Sequence, residues 1–511
     1  MAVDKNPTVE LIKNVISTCL LIVSIAVILG LIFNEQTGLS SDTHPAAAFI
    51  LLWVAVLWLS VVEGGQASLV GLAPVNRDLY KDSHPTAYKC TTMAHDGDSL
   101  DRYLLGRQFM VVFIVFSINI SGGPIADAEL WGLPDMFLSI FLGSGLAMIL
   151  FTTMVGQLNS QVNASHCMLD YLNTLANYFT LCVAMAIEFS GLVHASYVIQ
   201  MFVAAAAGEE IESKEAPKSP LQNLFFFSRC IMSISVLVFA FAVTLTALFD
   251  GKTNMWEGVP SGIAVVLFFL LMCVVGLLEG MQIAFFAVAK VEESERGDSF
   301  WAKKTCALLF RGDGFNLSGF MIGRQLCVVS CMFFIARVTS LNIDVDAGDE
   351  TLWGVSDGVQ KFFNMGFLGA LITTIVASIA WQLVASAFPI AFLSNPFTYF
   401  FLVICLFLEG TGICNGAYVL AAIHKKISGF QRDEVYIGTA EERAAKQQAD
   451  DYNNLTVGAG HLVKLTGFQG EGDVPLALQA LYKKDASVRD YMNGMPKDLE
   501  GQNVDNTDSE E

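Results

Sequence analysis

The sequence predicts an all-α polytopic membrane protein: ten transmembrane helices arranged as two inverted-topology repeats of five. Three observations lead there. Of its 511 residues, 54% are hydrophobic and 15% charged, a balance at which a water-soluble fold would aggregate. Ten apolar stretches are long enough to cross a bilayer, for which about 20 helical residues are needed. Five short motifs of the first half recur in the same order in the second, always 216 to 222 residues later.

In order, the spans fall at Leu11 to Phe33, Ala46 to Val70, Leu104 to Ile120, Met136 to Leu158, Leu175 to Ala207, Leu221 to Phe249, Gly262 to Ala289, Phe320 to Thr339, Phe362 to Ile390 and Phe397 to Ile423. The first is longer than the apolar region of a cleavable signal and has no small-residue cleavage site before FNEQTG, so it reads as a retained span. The second closes on VVEGGQAS at Val61, an ionisable group where a greasy segment finishes. The third opens on GRQF at Gly106. Late in the fourth and ninth stand Gln157 and Gln382, read as interhelical hydrogen-bond partners. The fifth and tenth enclose Glu188 and Glu409, with Gly191 and Gly412 about one turn on. The organisation expected is a cytoplasmic N-terminus (1–10), a first repeat (11–207), a connecting loop (208–220), a second repeat (221–426) and an acidic cytoplasmic tail (427–511).

The recurrences are EGGQ at Glu63 with EGMQ at Glu279, GRQF at Gly106 with GRQL at Gly323, WGLPD at Trp131 with WGVSD at Trp353, EFSGLVHASYV at Glu188 with EGTGICNGAYV at Glu409, and FNEQT at Phe33 with FDGKT at Phe249. Since each crossing reverses direction, five spans per repeat make the second enter from the opposite face. Inverted repeats are common among secondary transporters, whose sites lie near the midplane between the halves. Lysine and arginine in short loops place both termini in the cytoplasm: Arg77, Lys81, Lys89, Arg102, Lys425 and Lys426 fall inside. The loop after the seventh span runs against this, because its Lys290, Arg296, Lys303, Lys304 and Arg311 fall outside.

Several function classes drop out on composition. The net charge of −20 and the lack of a basic patch leave no nucleic-acid surface. The 11 cysteines lie mostly in apolar runs and form no disulfide framework. Scattered histidines, no nucleotide-binding loop and no large soluble domain argue against an enzyme, a cofactor or an ATP-driven pump. The tail, ending DNTDSEE, reads as solvated, with too few heptads for a coiled coil.

A charge near the bilayer centre costs roughly 2.5–3.5 kcal/mol on insertion scales, so such residues are paired or used. Each half supplies a glutamate and a glutamine from EGxQ and an arginine and a glutamine from GRQ: Glu63, Gln66, Arg107 and Gln108, then Glu279, Gln282, Arg324 and Gln325. The loop between the motifs is long enough for Glu63 to neighbour Arg107 and Glu279 to neighbour Arg324. Carboxylates accept, guanidiniums donate and amides do both, an inventory suited to a small neutral polyhydroxylated solute. The plainer reading is a pair of interhelical salt bridges with no ligand. Glu188 and Glu409 have no repeated arginine beside them, which makes them candidates for sodium or proton coupling against a plain role as protonated, hydrogen-bonded helix contacts.

EGxQ followed about 40 residues later by GRQ, once in each half of the chain, resembles the signature of the diatom silicic acid transporters, and CMLD at Cys167 to Asp170 looks like another feature of that family. The resemblance covers roughly residues 10 to 425; many family members carry a clear C-terminal coiled coil, for which the tail here has only weak heptads. It implies uptake of orthosilicic acid for a silica cell wall by symport with sodium, at the plasma membrane or at an intracellular or silica deposition vesicle membrane. It further implies that the eight EGxQ and GRQ residues bind substrate. Alternatives are a carrier of another polyol-like solute such as boric acid, a channel, and a sensor signalling through the tail. The partners expected are silicic acid, sodium and the lipid bilayer, with homo-oligomerisation left open.

Overall fold

The computed structural model describes residues 7–438 apart from 41–42, 74, 126–127, 209–210, 212–214, 216–218, 256–257, 290–295, 312–314 and 346–347. Among the described residues the chain is helical, with two isolated β-bridges. The principal helices are α1 (Pro7–Phe33), α2 (Pro45–Leu72), α3 (Ser99–Gly122), α4 (Leu146–Ala164), α5 (Leu175–Ser190), α6 (Ala195–Ala207), α7 (Pro220–Phe249), α8 (Ser261–Ala289), α9 (Phe315–Thr339), α10 (Phe367–Ala387), α11 (Pro396–Gly410) and α12 (Gly416–Ser428). Elements α7 to α12 repeat α1 to α6 in order. The repetition extends to the loops, where Thr37 bridges Pro124 and Thr253 bridges Leu341. Trp131 and Trp353 share a left-handed backbone, φ 52° and 58°.

The helices start where the sequence provides for it. Proline at the first helical position opens α2, α7 and α11, and Ser219 with Gln222 forms a capping box on α7. Large apolar side chains such as Leu11, Val15, Ile50, Leu57, Leu224 and Val238 stay exposed along α1, α2 and α7, as expected of a surface facing lipid. The helices of the two halves interleave: Leu237, Ala240 and Val243 of α7 share a core with Leu368, Leu371 and Ile372 of α10, and Val193 and Ala195 join it from the first half.

The span count differs from expectation. Seven helices are continuous and apolar enough to cross a membrane, and two bent pairs bring the number to at most nine among the described residues. One bent pair is Asp135–Gly143 with α4, at 47°; the other is α5 with α6, at 72°. The fifth and tenth expected spans are each broken by a glycine in the left-handed region, Gly191 at φ 83° and Gly412 at φ 73°, where a helix terminates.

The relative direction of the halves also differs. At one end of α3, Gly122 packs on Met148 of α4; nearer the other, Arg107 and α4's Gln161 both hold Glu63. Helices α3 and α4 are therefore antiparallel. Late in α9, Phe333 packs on Gly145 just before α4, and Ile322, early in α9, clusters with Leu150, Met154 and Leu158 of α4. Helix α9 is antiparallel to α4 as well, so α3 and α9 run the same way. The repeats are parallel, not inverted. The physical reason lies in the broken pairs: Gly416, opening α12, sits against Met154 in mid-α4, and His424 faces Tyr171 beyond α4's end. Thus α12 turns back toward the end of the bundle that α4 reaches.

Parallel repeats remove the charge conflict. The loops after α2 and α8, bearing Arg77, Lys81 and Lys89 and then Lys303 and Lys304, now lie at one end with Lys425 and Lys426. The loops after α1 and α3 at the opposite end carry no lysine or arginine. Residues Ile437–Glu511 form a separate unit; from 439 onward the expected tail lies outside the described residues.

Candidate functional site

Close helix packing sets the site. A Cβ on Gly106 would lie 1.8 Å from the Ala184 carbonyl oxygen, and one on Gly323 equally close to that of Cys405. Only glycine lets α3 approach α5 and α9 approach α11 this closely. The next residue in each motif, Arg107 or Arg324, is thereby aimed at the glutamate of the preceding helix. Arg107 Nη2 lies 2.5 Å from Glu63 Oε2, and Arg324 Nη1 lies 3.3 Å from Glu279 Oε1. Each arginine also donates to the glutamine beside it, Nη1 to Gln108 Oε1 at 2.6 Å and Nη2 to Gln325 Oε1 at 2.5 Å. All these side chains are buried.

A third partner closes each cluster. Gln161 Nε2 donates to Glu63 Oε2 and Gln382 Nε2 to Glu279 Oε2, both at 2.9 Å. The role expected of Gln382 is thus observed. In the first half it belongs to Gln161, which the motif reading passed over in favour of Gln157. The signal was in the spacing: Gln161 precedes Gln382 by 221 residues, within the repeat offset, and both follow a Thr-Thr pair at the same distance. Those threonines open π-helical stretches, Thr152–Leu158 and Thr373–Ile379, a feature concentrated at functional sites.

One cavity of about 100 Å³ is lined by Glu63, Arg107 and Gln108 from the first half and Glu279, Gln282, Arg324 and Gln325 from the second, with Thr152, Gln157 and Thr373. Gln66 is buried but does not line it. At roughly 10–15 Å³ of such space per water, the cavity holds several water-sized groups. Above the polar floor its walls are apolar, with Val111, Val115, Val328 and Met332, and it continues to Asn119 and Ser340. The Nε–H groups of Arg107 and Arg324 and the amide oxygen of Gln157 are buried there without a hydrogen-bond partner. An unmet buried donor or acceptor costs about 1–3 kcal/mol, so the floor gains by taking up a ligand that both accepts and donates.

Glu188 and Glu409 do not line this cavity. Glu188 lies at the α5–α6 break, its Oε1 3.5 Å from both His194 Nε2 and the Tyr197 hydroxyl. Glu409 lies at the α11–α12 break against α9, where a Cβ on Gly319 would be 3.5 Å from its carboxylate. No group of three metal-ligating side chains is found among the described residues.

No curated protein and no solved structure matches the chain. A family model described as Silicon transporter matches residues 5–507, a range that takes in the whole bundle, both charged clusters and the cavity between them. The chain belongs to the silicon transporter family.

Proposed function

We propose that this transporter takes up orthosilicic acid together with sodium by alternating access, serving silica cell-wall formation from the plasma membrane. The observation that carries the reading is the cavity floor, to which each half brings the same Glu, Arg and Gln, Glu63, Arg107 and Gln108 facing Glu279, Arg324 and Gln325, around one space. Silicic acid is neutral near pH 7 and holds four hydroxyls in a tetrahedron, so it can present one pair to each half. Each hydroxyl can accept from an arginine Nε–H or a glutamine amide and donate to a glutamate or a glutamine oxygen. A solute with fewer hydroxyls leaves buried groups unpaired, which is how such a site discriminates.

The membrane topology proposed has eight crossings, α1 to α4 and α7 to α10, with α5–α6 and α11–α12 as re-entrant pairs and both termini cytoplasmic. The cation-rich end of the bundle supports this orientation. Broken helices are where secondary transporters commonly hold coupling ions, and the buried Glu188 and half-buried Glu409 at the two breaks are the candidates here for sodium.

The test is flux in proteoliposomes with and without an inward sodium gradient. Accumulation of silicic acid above equilibrium only with the gradient is expected. Flux that no gradient drives uphill points to a channel, and stronger competition by boric acid than by silicic acid points to the other solute. Glu63→Gln and Glu279→Gln remove one charged partner each; a bond to a charged group is worth about 1.5–3 kcal/mol. Each variant is expected to lose uptake by roughly 10- to 100-fold while remaining folded, and normal uptake by both would sink the site assignment.

A further inference from the structure

The two halves of the site are alike, but what lies beneath them is not. Under Glu63, Tyr171 packs so closely on Gly64 that a Cβ there would sit 2.3 Å from the ring. Its hydroxyl donates to the Ser60 carbonyl at 2.8 Å, and Asn177 Nδ2 donates to its own carbonyl at 2.8 Å. Under Glu279 the corresponding position is Phe392, set against Gly280 at the same distance but without a hydroxyl.

Among the described residues, the segment following α12 packs against the first-half side. Gln431 N donates to Asp170 Oδ2 at 2.6 Å, and Tyr436 donates its hydroxyl to the same carboxylate at 3.3 Å. His84 Nε2 meets Asp170 Oδ1 at 3.1 Å, and its ring lies edge-on to Tyr436 with centroids 4.5 Å apart. Asp433 accepts from Met168 N at 3.0 Å and Leu169 N at 2.9 Å, while its own N–H donates to the His166 carbonyl at 3.2 Å. Phe430 completes the stack, its ring 5.8 Å from Tyr171. The second half has Ala391 where the first has Asp170, so the same anchor cannot form there.

We propose that Tyr171 is the plug beneath the Glu63 half of the floor and that residues 430–436 are a latch holding it. Ligand then passes the first half only when the latch undocks. The proposal rests on the transport reading for its consequence, though not for the docking itself. It places Tyr171 and Asp433 as positioning residues: neither touches the floor's charged groups through a hydrogen bond, and the latch acts on release.

The experiment uses the full chain in liposomes and two readouts. Hydrogen exchange of the 166–173 peptide reports docking whatever the solute. Asp433→Ala is expected to speed exchange of the Met168 and Leu169 amides by about tenfold or more, because an undocked minor state is otherwise populated at ~0.1–10%. In the same variant, silicic acid turnover is expected to rise by about threefold with half-saturation rising alongside and their ratio unchanged, as when release limits the rate. Tyr171→Ala is expected to abolish uphill accumulation while leaving downhill flux. Should Asp433→Ala not fold, Asp433→Asn keeps the shape with weaker acceptors and makes the same test. Unchanged exchange overturns the latch; faster exchange with unchanged turnover overturns its control of release. If the wild type moves no silicic acid, the transport reading fails, and the exchange result still decides the docking.

Discussion

At the scale of single residues, the site is a pair of partnered carboxylates next to donors without partners. Glu63 and Glu279 each hold an arginine and a glutamine, and the Nε–H of each arginine is left over. Gln161 and Gln382 orient the carboxylates, so Gln161→Leu and Gln382→Leu are expected to weaken uptake through affinity, by about 5- to 10-fold for one lost bond, measured as a rise in half-saturation. Arg107→Lys keeps the charge but loses the planar fork that serves both Glu63 and Gln108. It is expected to lose most transport in the same flux assay, and near-normal uptake would show that charge alone suffices. The pairing of Glu63 with Arg107 was readable from motif and offset. Gln161 was readable only by applying the offset strictly, because Gln157 is the nearer glutamine in the sequence and differs from the partner position by one helical turn.

At the scale of elements, the broken pairs are held by the first helix of the other half. Ser17 of α1 donates to the Ile413 carbonyl at 2.6 Å and accepts from Gly416 N at 2.8 Å. Ser233 of α7 does the same at the α5–α6 break, donating to Leu192 O at 2.6 Å and accepting from Ala195 N at 2.9 Å. Each hydroxyl satisfies two backbone groups that a break leaves open. Ser233→Ala is expected to cost about 1–3 kcal/mol, read as a lower unfolding temperature in detergent, with Ser17→Ala behaving alike. Equal stability in both would mean that water fills the breaks. These clasps could not be read from the sequence: a serine in an apolar helix usually returns its proton to the preceding turn, and the partner here is hundreds of residues away.

For the whole molecule, the parallel relation of the halves makes a prediction that the inverted arrangement does not. The loop bearing Arg296, Lys303 and Lys304 should lie on the same membrane side as the loop bearing Arg77, Lys81 and Lys89. Side-specific labelling of single cysteines placed in each loop of the full-length protein checks it. Labelling from opposite sides would restore ten crossings. The parallel relation also puts both clusters on one level around the bundle axis, so one ligand can touch both halves at once, and it leaves the latch at the cation-rich end, where the chain's acidic final segment begins.

The sequence by itself determined the helices, their duplication and the two charged pairs, because hydropathy, motif order and offset are properties of the chain read along its length. Membrane insertion also enforces them: an apolar run must form helix, and a charge within it must find its opposite. What only the tertiary structure decided is direction. Whether Gly191 and Gly412 merely kink a span or turn it back depends on what packs against the second piece, and α6 and α12 are held beside α10 and α4 of the opposite halves. That packing turns the repeats parallel and lets the segment after α12 cover one of the two halves of the site.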